Sequence, residues 1–222
     1  MRKNNMEHLN RQETEVTTNV RGYRNIFIAQ PISKFQFAEE LISVGSKILQ
    51  QTGKITEQFV IDETNKHIVS FMFNWFNNVE FGYNRNAGIF ISGTIGAGKS
   101  ILMRAFLKIV EKYTGFRIFD ADCKNFNRQY IEITEEEGID YFKYRPMYFD
   151  DLGREGKQVK VYGTEISPVT DVLFQRYDTG AYNFATSNYS ISDLKKMYGS
   201  AIADRLNSMF NVFEMKNKSR RN

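Results

Sequence analysis

The stretch GIFISGTIGAGKSILMRAFLKIV, residues 88–110, decides the fold of this chain. A short apolar run leads into glycines at positions 93, 96 and 98, which are followed by a lysine, a serine and apolar residues at helical spacing. Glycine weakens the interior of helices and strands, so such a cluster needs a reason in the backbone. Residues 93–100 match G-x-x-x-x-G-K-[ST], a pattern typical of a phosphate-binding loop between a strand and a helix.

The proposed chemistry explains the residue types of this loop. Successive backbone N–H groups must point inward around a polyphosphate, and the N-terminus of the following helix adds partial positive charge. Lys99 is predicted to reach the β- and γ-phosphates, and the Ser100 hydroxyl to be a ligand of Mg²⁺. The alternative is a glycine turn that joins two core elements. The predicted phosphate-binding residues are Gly93, Thr94, Ile95, Gly96, Ala97, Gly98, Lys99 and Ser100.

Two later segments place polar residues at the ends of predicted strands. In MYFDDLG, residues 147–153, Asp150 fits the acidic partner of a phosphate-bound Mg²⁺, and Asp151 could orient and partly deprotonate the attacking water. In FATSNYS, residues 184–190, Asn188 could hydrogen-bond the γ-phosphate or that water. The alternatives are a solvent-facing acidic turn and a polar cap between a strand and a helix.

The order of the elements predicts an α/β fold. Strands at GIFIS, FRIFDA, PMYFDD, YNFATS and FNVFEM alternate with helices, which favours a mainly parallel sheet covered on both faces. Two helices precede the first strand. One lies in SKFQFAEELISVGSKILQQTG with Ser33 as its N-cap, and a longer one in TEQFVIDETNKHIVSFMFNWFNN with Thr56 as its cap. The apolar stripe of the second helix is predicted to be core, and its members are Phe59, Val60, Ile68, Phe71, Met72, Trp75 and Phe76.

Composition narrows the class of protein. The 222 residues are 41% hydrophobic and include one cysteine, Cys123, so an intramolecular disulfide and a cysteine zinc site are excluded. No apolar run is long enough to span a membrane and residues 1–25 have no apolar core of a signal peptide, so we expect a cytoplasmic protein. The net charge is +4, and residues 216–222 carry four basic groups and no acid. That tail suits a phosphate backbone, although a solvated terminus explains it as well.

Together, these motifs resemble an AAA+ ATPase of the replicative helicase loader type, the DnaC/DnaI-like group, whose ATPase core is shared with IstB-type transposition helpers. The ordered set YFDDLG, YGTEISPVTDVLFQRYDTG, FATSNYSISDLKKMYG, DRLNSMFNVFEM and terminal SRR carries the resemblance from about Ile89 to Arg221. It implies a P-loop NTPase three-layer sandwich with a five-stranded sheet of order 5-1-4-3-2 and no C-terminal lid domain. It also implies ATP and Mg²⁺ as cofactors and ATP-dependent self-assembly.

The resemblance further implies roles for single residues. Lys99, Ser100, Asp150, Asp151 and Asn188 match ATP-site positions, with Ser100 and Asp150 on the metal. Arg205 in DRL matches the arginine finger, which would act on the ATP of a neighbouring subunit. The alternative, from the residues alone, is an exposed helix arginine paired with Asp204 or Asp193. The chain departs from the family at Ala201, where the pattern Y-G-x-R has its arginine, which puts efficient hydrolysis in doubt.

The expected organisation is a flexible tail over 1–25, a helical appendage over 26–55 that could dock a partner, the ATPase domain over 56–215 and the basic tail over 216–222. The implied partners are a replicative helicase and single-stranded DNA; the alternative is a transposase. Aromatic residues from Phe126 to Tyr144 lie among cations such as Lys124 and Arg145 and could contact DNA, although core packing explains most of the rings. A small-molecule kinase and a non-hydrolysing nucleotide switch remain as further alternatives.

Overall fold

The computed structural model describes residues 31–53, 58–79, 82–156, 159–161 and 164–216. Five strands form the main sheet and two short ones pair separately as an antiparallel hairpin. In chain order the strands are β1 (Gly88–Gly93), β2 (Phe119–Asp122), β3 (Met147–Asp150), β4 (Val159–Val161), β5 (Thr164–Ile166), β6 (Asn183–Ser187) and β7 (Phe210–Met215).

The main sheet has the order β2-β3-β6-β1-β7, and every neighbouring pair in it is parallel. Counting only these five strands along the chain, the order is 5-1-4-3-2, as predicted. The register sets Ile91 beside Thr186 and Asp122 beside Asp150. Because all five strands run the same way, their carboxyl ends share one edge of the sheet, where open α/β folds bind ligands.

Eight α-helices cover the sheet within the described residues. They are α1 (Lys34–Gln51), α2 (Lys66–Phe76), α3 (Lys99–Thr114), α4 (Phe126–Glu137), α5 (Asp140–Tyr144), α6 (Pro168–Thr179), α7 (Ile191–Tyr198) and α8 (Ser200–Met209). The predicted N-cap of α1 is confirmed, since the Ser33 hydroxyl accepts a hydrogen bond from the Gln36 amide. Over the same residues, no helix has both the length and the apolar character needed to cross a bilayer.

One face of the sheet packs against α1, α2 and α3. The fully buried Trp75 lies at the centre of this core, edge-on to Phe106 and Phe184, and its indole N–H donates to the Ala87 carbonyl at 3.0 Å. Phe37 of α1 belongs to the same cluster. The helix that we expected in a separate appendage therefore shares a core with α2 and α3, and a domain boundary near residue 55 stays a prediction.

The other face packs against α4, α5, α6 and α8. Its core includes Phe90, Phe149 and Leu206, and it also holds Arg176, whose side chain is fully buried. The Arg176 guanidinium donates to the side chain of Asn183 and to two backbone carbonyls, one of them that of Tyr182 at 2.7 Å. A buried arginine needs such saturation to offset its lost hydration.

The predicted helix from Thr56 is wrong at its beginning. Helix α2 begins only at Lys66, and Thr56 lies outside the described residues. A polar turn precedes it: the Asp62 carboxylate accepts from the Thr64 amide at 2.9 Å, and the Asp62 amide donates to Asn65 at 2.9 Å. These side-chain bonds compete with helix formation. Of the predicted stripe, Val60 is exposed, whereas the other members are buried.

The sequence analysis also missed the β4–β5 hairpin and the short helix α5. Two expectations about the termini lie outside the described residues: the tail over 1–25, and the basic tail apart from Lys216, which pairs with Glu214 at 3.1 Å. The expected absence of a lid domain after β7 stays a prediction.

Candidate nucleotide site

A cleft of about 1050 Å³ lies at the carboxyl edge of the sheet, and we call it the phosphate cleft. It is lined by residues 94–101, Arg104, Asp150, Asp151, Arg154 and Asn188, with Leu49, Phe59 and Met215 among the other residues. The predicted phosphate loop and the predicted acidic and amide residues therefore meet in one place. Arg205 is not among the residues that line the cleft.

Glycine is required at two points of the loop. At Gly93, φ is +142°, and a Cβ would lie 2.1 Å from the Met215 carbonyl oxygen, which no side chain can do. Gly98 has φ +98° and precedes α3 without any side-chain cap on the first turn of that helix. The first N–H groups of α3 thus remain available to an anion at the mouth of the loop.

Lys99 is nearly buried, with 4% of its surface exposed, and its ammonium lies within the loop. It donates to the Gly93 carbonyl at 2.8 Å, to the Thr94 carbonyl at 2.9 Å and to Asn188 Oδ1 at 2.9 Å. The last bond joins the loop to the end of β6. A buried ammonium with neutral partners keeps a strong attraction for an anion, because burial weakens the screening of its charge.

Asp150 is held from several sides. Its Oδ1 accepts from the Tyr148 hydroxyl at 2.6 Å and from Thr186 Oγ1 at 2.7 Å. Its Oδ2 pairs with Arg104 Nη2 at 2.8 Å, and Ser100 also hydrogen-bonds this carboxyl. Burial alone would raise the pKa of Asp150, but these hydrogen bonds and the arginine charge outweigh it and keep the pKa below its ordinary value. Asp150 is therefore a carboxylate at neutral pH.

Asp151 has an unusual backbone, with φ +57° in the left-handed region. Its amide donates to Thr186 Oγ1 at 3.2 Å, and its carboxylate pairs with Arg154 at 2.9 Å and accepts from Asn188 Nδ2 at 3.4 Å. Aspartate tolerates this conformation better than bulkier residues do. The conformation turns consecutive carboxylates toward different partners, so Asp150 and Asp151 are free to have different roles.

The loop after β3 is fastened to β6. The Leu152 amide donates to the Thr186 carbonyl at 2.8 Å, and Ser187 Oγ donates to the Leu152 carbonyl at 2.6 Å. Further along, Glu155 accepts a hydrogen bond from Tyr198 at the end of α7, and burial raises the pKa of Glu155. These bonds couple the positions of the acidic residues to β6, which Asn188 follows directly, and to α7.

Arg205 lies on α8 and is held by its own chain. Its guanidinium lies 4.3 Å from the ring centroid of Phe174 and 5.0 Å from that of Tyr177, and it donates to the Ala201 carbonyl at 3.1 Å. The expected pairing with an aspartate is not formed among the described residues. Its Nε is buried and has no hydrogen-bond partner within the described part of the chain. Ala201 is exposed near the start of the same helix.

Two arginines of the cleft escaped the sequence analysis. Arg104 pairs with Asp150, and Arg154 pairs with Asp151. A signal for Arg104 existed, because it stands four residues after Ser100 and so on the same face of α3. Nothing comparable pointed to Arg154, whose partner is decided by the left-handed turn at Asp151.

The aromatic residues that could contact DNA divide into two groups. Phe126 and Phe142 are buried in the core, as the alternative explanation expected. Tyr144 is 57% exposed, and the Arg145 guanidinium lies 3.5 Å from the ring centroid of Tyr141. Only this second group remains accessible for a contact with a base.

The residues of the cleft fit ATP and Mg²⁺. No side chain caps the first turn of α3 after Gly98, and the Ser100 hydroxyl lies within hydrogen-bonding reach of the Asp150 carboxylate. A hydroxyl next to a carboxylate provides the oxygen ligands that Mg²⁺ prefers. With Lys99, this site offers both a cationic contact for phosphate and a metal position.

Comparison with solved structures places the fold among replication proteins. The DnaI structure matches with a TM-score of 0.57 and 21% identity over 73% of this chain and 87% of that one. The DnaC helicase loader matches with a TM-score of 0.56 and 18% identity, over 71% and 93%. DnaA from Aquifex aeolicus, solved with AMPPCP bound, matches with a TM-score of 0.52 and 18% identity, over 73% and 50%.

No protein-family profile matches the sequence, and no curated protein sequence does either. The likeness is therefore one of fold. It confirms the predicted P-loop core with its strand order, and it supports the resemblance stated from the sequence motifs. The chain has the P-loop fold that is also seen in the DnaC helicase loader, in DnaI and in DnaA.

Proposed function

We propose that this chain is an ATP-binding and ATP-hydrolysing replication protein of the helicase-loader type, working in the cytoplasm. In this proposal, ATP-dependent self-assembly is coupled to the binding of a replicative helicase and of single-stranded DNA. The single observation that carries it is the convergence of Lys99, Asp150, Asp151 and Asn188 in one cleft behind a phosphate loop. The fold shared with the loaders supports the replication role.

Each side chain of the cleft has a role in this proposal. The loop amides and Lys99 hold the phosphates, whereas Ser100 and Asp150 hold Mg²⁺. The metal, when bound, would neutralise charge on the phosphate oxygens. Asp151 orients the attacking water and accepts its proton, and Asn188 contacts the γ-phosphate or that water. The bond from Lys99 to Asn188 supports this assignment, because both groups already face the same space.

Arg205 takes the role of an arginine finger in an assembly. Arg205 does not line the cleft of its own chain, so in this proposal it acts on a nucleotide bound by a neighbouring copy. The stack on Phe174 and Tyr177 would hold the side chain until such a copy binds. The guanidinium is planar and permanently charged, so it can stabilise the negative charge that develops in phosphoryl transfer.

The test of nucleotide binding compares the wild type with Lys99→Ala. Isothermal titration with ATP and excess Mg²⁺ should show binding by the wild type and an affinity at least about tenfold lower for the variant, because the main cationic contact with phosphate is gone. Lys108→Ala is the matched control: it removes an exposed lysine of the same helix that pairs with Glu111. Equal heats for wild type and Lys99→Ala would contradict the proposal.

The test of the partner is retention on the immobilised protein with a slowly hydrolysed ATP analogue. A ring helicase from the native host retained by the wild type and lost with Lys99→Ala supports the loader function. A transposase retained in the same way supports an IstB-like helper instead. Nucleotide binding without turnover, with every partner present, supports a switch, which the alanine at position 201 leaves open. Phosphate transfer to a small acceptor would identify a kinase.

A further inference from the structure

Arg104 lies in the phosphate cleft at the place where Asp150 would meet a metal. Its Nη2 lies 2.8 Å from Asp150 Oδ2 and its Nε lies 3.0 Å from Asp120 Oδ2. Its guanidinium carbon is 5.8 Å from the centroid of the Tyr148 ring. The side chain is 38% exposed, so it reaches this position along the wall of the cleft and can also leave it.

The two carboxylate oxygens of Asp150 have different partners. Oδ1 accepts from Tyr148 and Thr186, which are buried and cannot move away without leaving a polar group unpaired. Oδ2 forms the ion pair with Arg104. Each carboxylate oxygen accepts about two hydrogen bonds. Oδ2 is thus the oxygen that remains for a metal or a metal-bound water, and the guanidinium stands in front of it.

A purely structural role does not explain this pair. Helix α3 is already fastened to the sheet by a buried apolar face that includes Leu102, Met103 and Phe106. The Asp150 carboxylate has donors other than Arg104, and Arg104 has a second acidic partner in Asp120. Each member of the ion pair therefore keeps other partners when the pair breaks. Such a contact can change when a ligand binds.

We infer that Arg104 competes with Mg²⁺ for Asp150 and thereby sets how much Mg²⁺ the site needs to bind nucleotide. The inference rests on the proposed ATP–Mg²⁺ site. The guanidinium neutralises the Asp150 carboxylate, so a metal would have to displace this cation from the carboxylate. Asp120, 49% exposed on β2, remains as the partner of Arg104 after displacement. Arg104 is a positioning residue in this account, because it acts through Asp150.

The test measures binding rather than hydrolysis. A fluorescent ATP analogue is titrated at fixed concentration with free Mg²⁺, and the half-saturating Mg²⁺ concentration is compared between the wild type and Arg104→Met. Methionine keeps a long flexible stem and favours the helix. Since a partly exposed ion pair contributes only modestly to an equilibrium, the half-saturating concentration should fall roughly threefold. Arg104→Gln, which also removes the charge, should show the same direction.

Two variants separate this effect from general changes in charge. Lys108→Met removes a cation one turn further along α3 that pairs with Glu111, and it should leave the Mg²⁺ requirement unchanged. Arg104→Lys keeps the charge but loses the planar guanidinium that reaches both carboxylates. The half-saturating Mg²⁺ concentration of this variant should therefore lie between those of the wild type and Arg104→Met. Thermal unfolding of each variant confirms that it is folded.

Three results would overturn the inference. An unchanged or higher Mg²⁺ requirement in Arg104→Met, with normal nucleotide binding at saturating Mg²⁺, refutes it and leaves the proposed site intact. Weaker binding of the analogue in EDTA would assign Arg104 to a phosphate contact instead. If the wild type binds no nucleotide at any Mg²⁺ concentration, the proposed function fails, and the inference fails with it.

Discussion

The phosphate cleft and the Arg205 side chain differ in where their partners lie. In the cleft, Lys99, Asp150, Asp151 and Asn188 are joined to one another or to buried groups by hydrogen bonds and ion pairs within the chain. Arg205, on α8, is stacked on two rings of α6 and, within the described part of the chain, forms no hydrogen bond or ion pair with any of these four residues. One chain thus contains the cleft but leaves the guanidinium outside it.

Nucleotide binding and nucleotide hydrolysis therefore need not depend on the same residues. A single chain has the groups for holding phosphate and metal, so we expect nucleotide binding without assembly. In the proposed function, the charge that stabilises the transition state comes from Arg205 of another copy. The comparison predicts that substitutions in the cleft act on isolated chains, whereas Arg205 matters only when copies associate.

The largest expected effect is on turnover in Arg205→Ala. Under the conditions in which the wild type hydrolyses ATP fastest, the rate should fall by about 10³-fold, because transition-state charge is no longer neutralised. The affinity of the isolated chain for ATP should remain within about twofold, since Arg205 does not line the cleft. Phosphate release and equilibrium binding measure the two quantities.

The control for Arg205→Ala is a mixing experiment with Asp151→Asn. Each variant alone should be nearly inactive, but mixed assemblies bring an intact Arg205 of one chain to an intact Asp151 of the other. Recovery of activity on mixing supports action between copies. Equal loss of ATP affinity and turnover in Arg205→Ala, with no recovery on mixing, would place its effect within one chain and break the comparison.

The second-largest expected effect is on turnover when Asp151→Asn is the only substitution in the assembly. Turnover should fall by about 100-fold, because an amide cannot accept the proton of the attacking water. Binding of ATP should change little, since the contacts of Lys99 and Ser100 are retained. Rapid-quench measurement of a single turnover separates the chemical step from product release. Asp204→Asn, an exposed aspartate next to Arg205 on α8, is the control and should be nearly silent.

The smallest effect is on stability in Thr186→Val. Thr186 Oγ1 donates to Asp150 and accepts from the Asp151 amide, and both bonds lie beneath the cleft. Valine keeps the shape but removes the acceptor of the Asp151 amide and one of the donors to Asp150, which should cost about 1–3 kcal/mol in urea denaturation. Ser208→Ala removes an exposed hydroxyl of α8 that bonds the Asp204 carbonyl, and it should cost far less. Equal costs would mean that the cleft is no more tightly constrained than α8.

Most of the fold was predictable because its signals are local. The loop pattern at 93–100 predicts both the strand before it and the helix after it, and the alternation of strands and helices predicts a parallel sheet. The errors arose where a few side-chain bonds override an apolar pattern. The stripe between Phe59 and Phe76 suggested one helix, but the turn around Asp62 and Asn65 delays its beginning to Lys66.

The candidate site was predictable in its members but not in their pairing. Lys99 stood out in the phosphate-loop pattern, and Asp150, Asp151 and Asn188 stood out because polar residues that end or follow strands meet at one edge of the sheet. The ion pairs of Arg104 and Arg154 could not be predicted with the same ease, because an arginine on a helix has several possible partners. Long side chains choose among them only after the backbone is in place.

The sequence by itself determined the phosphate loop, the strand and helix that flank it, and the acidic and amide residues at the ends of later strands. These follow from backbone chemistry, since glycine at Gly93 and Gly98 permits a geometry that other residues cannot adopt. Only the tertiary structure decided that Arg104 faces Asp150 and that Arg205 stays outside the cleft. The reason is distance: α3, β3 and α8 are far apart in the chain, and packing of the helices on the sheet sets which charges meet.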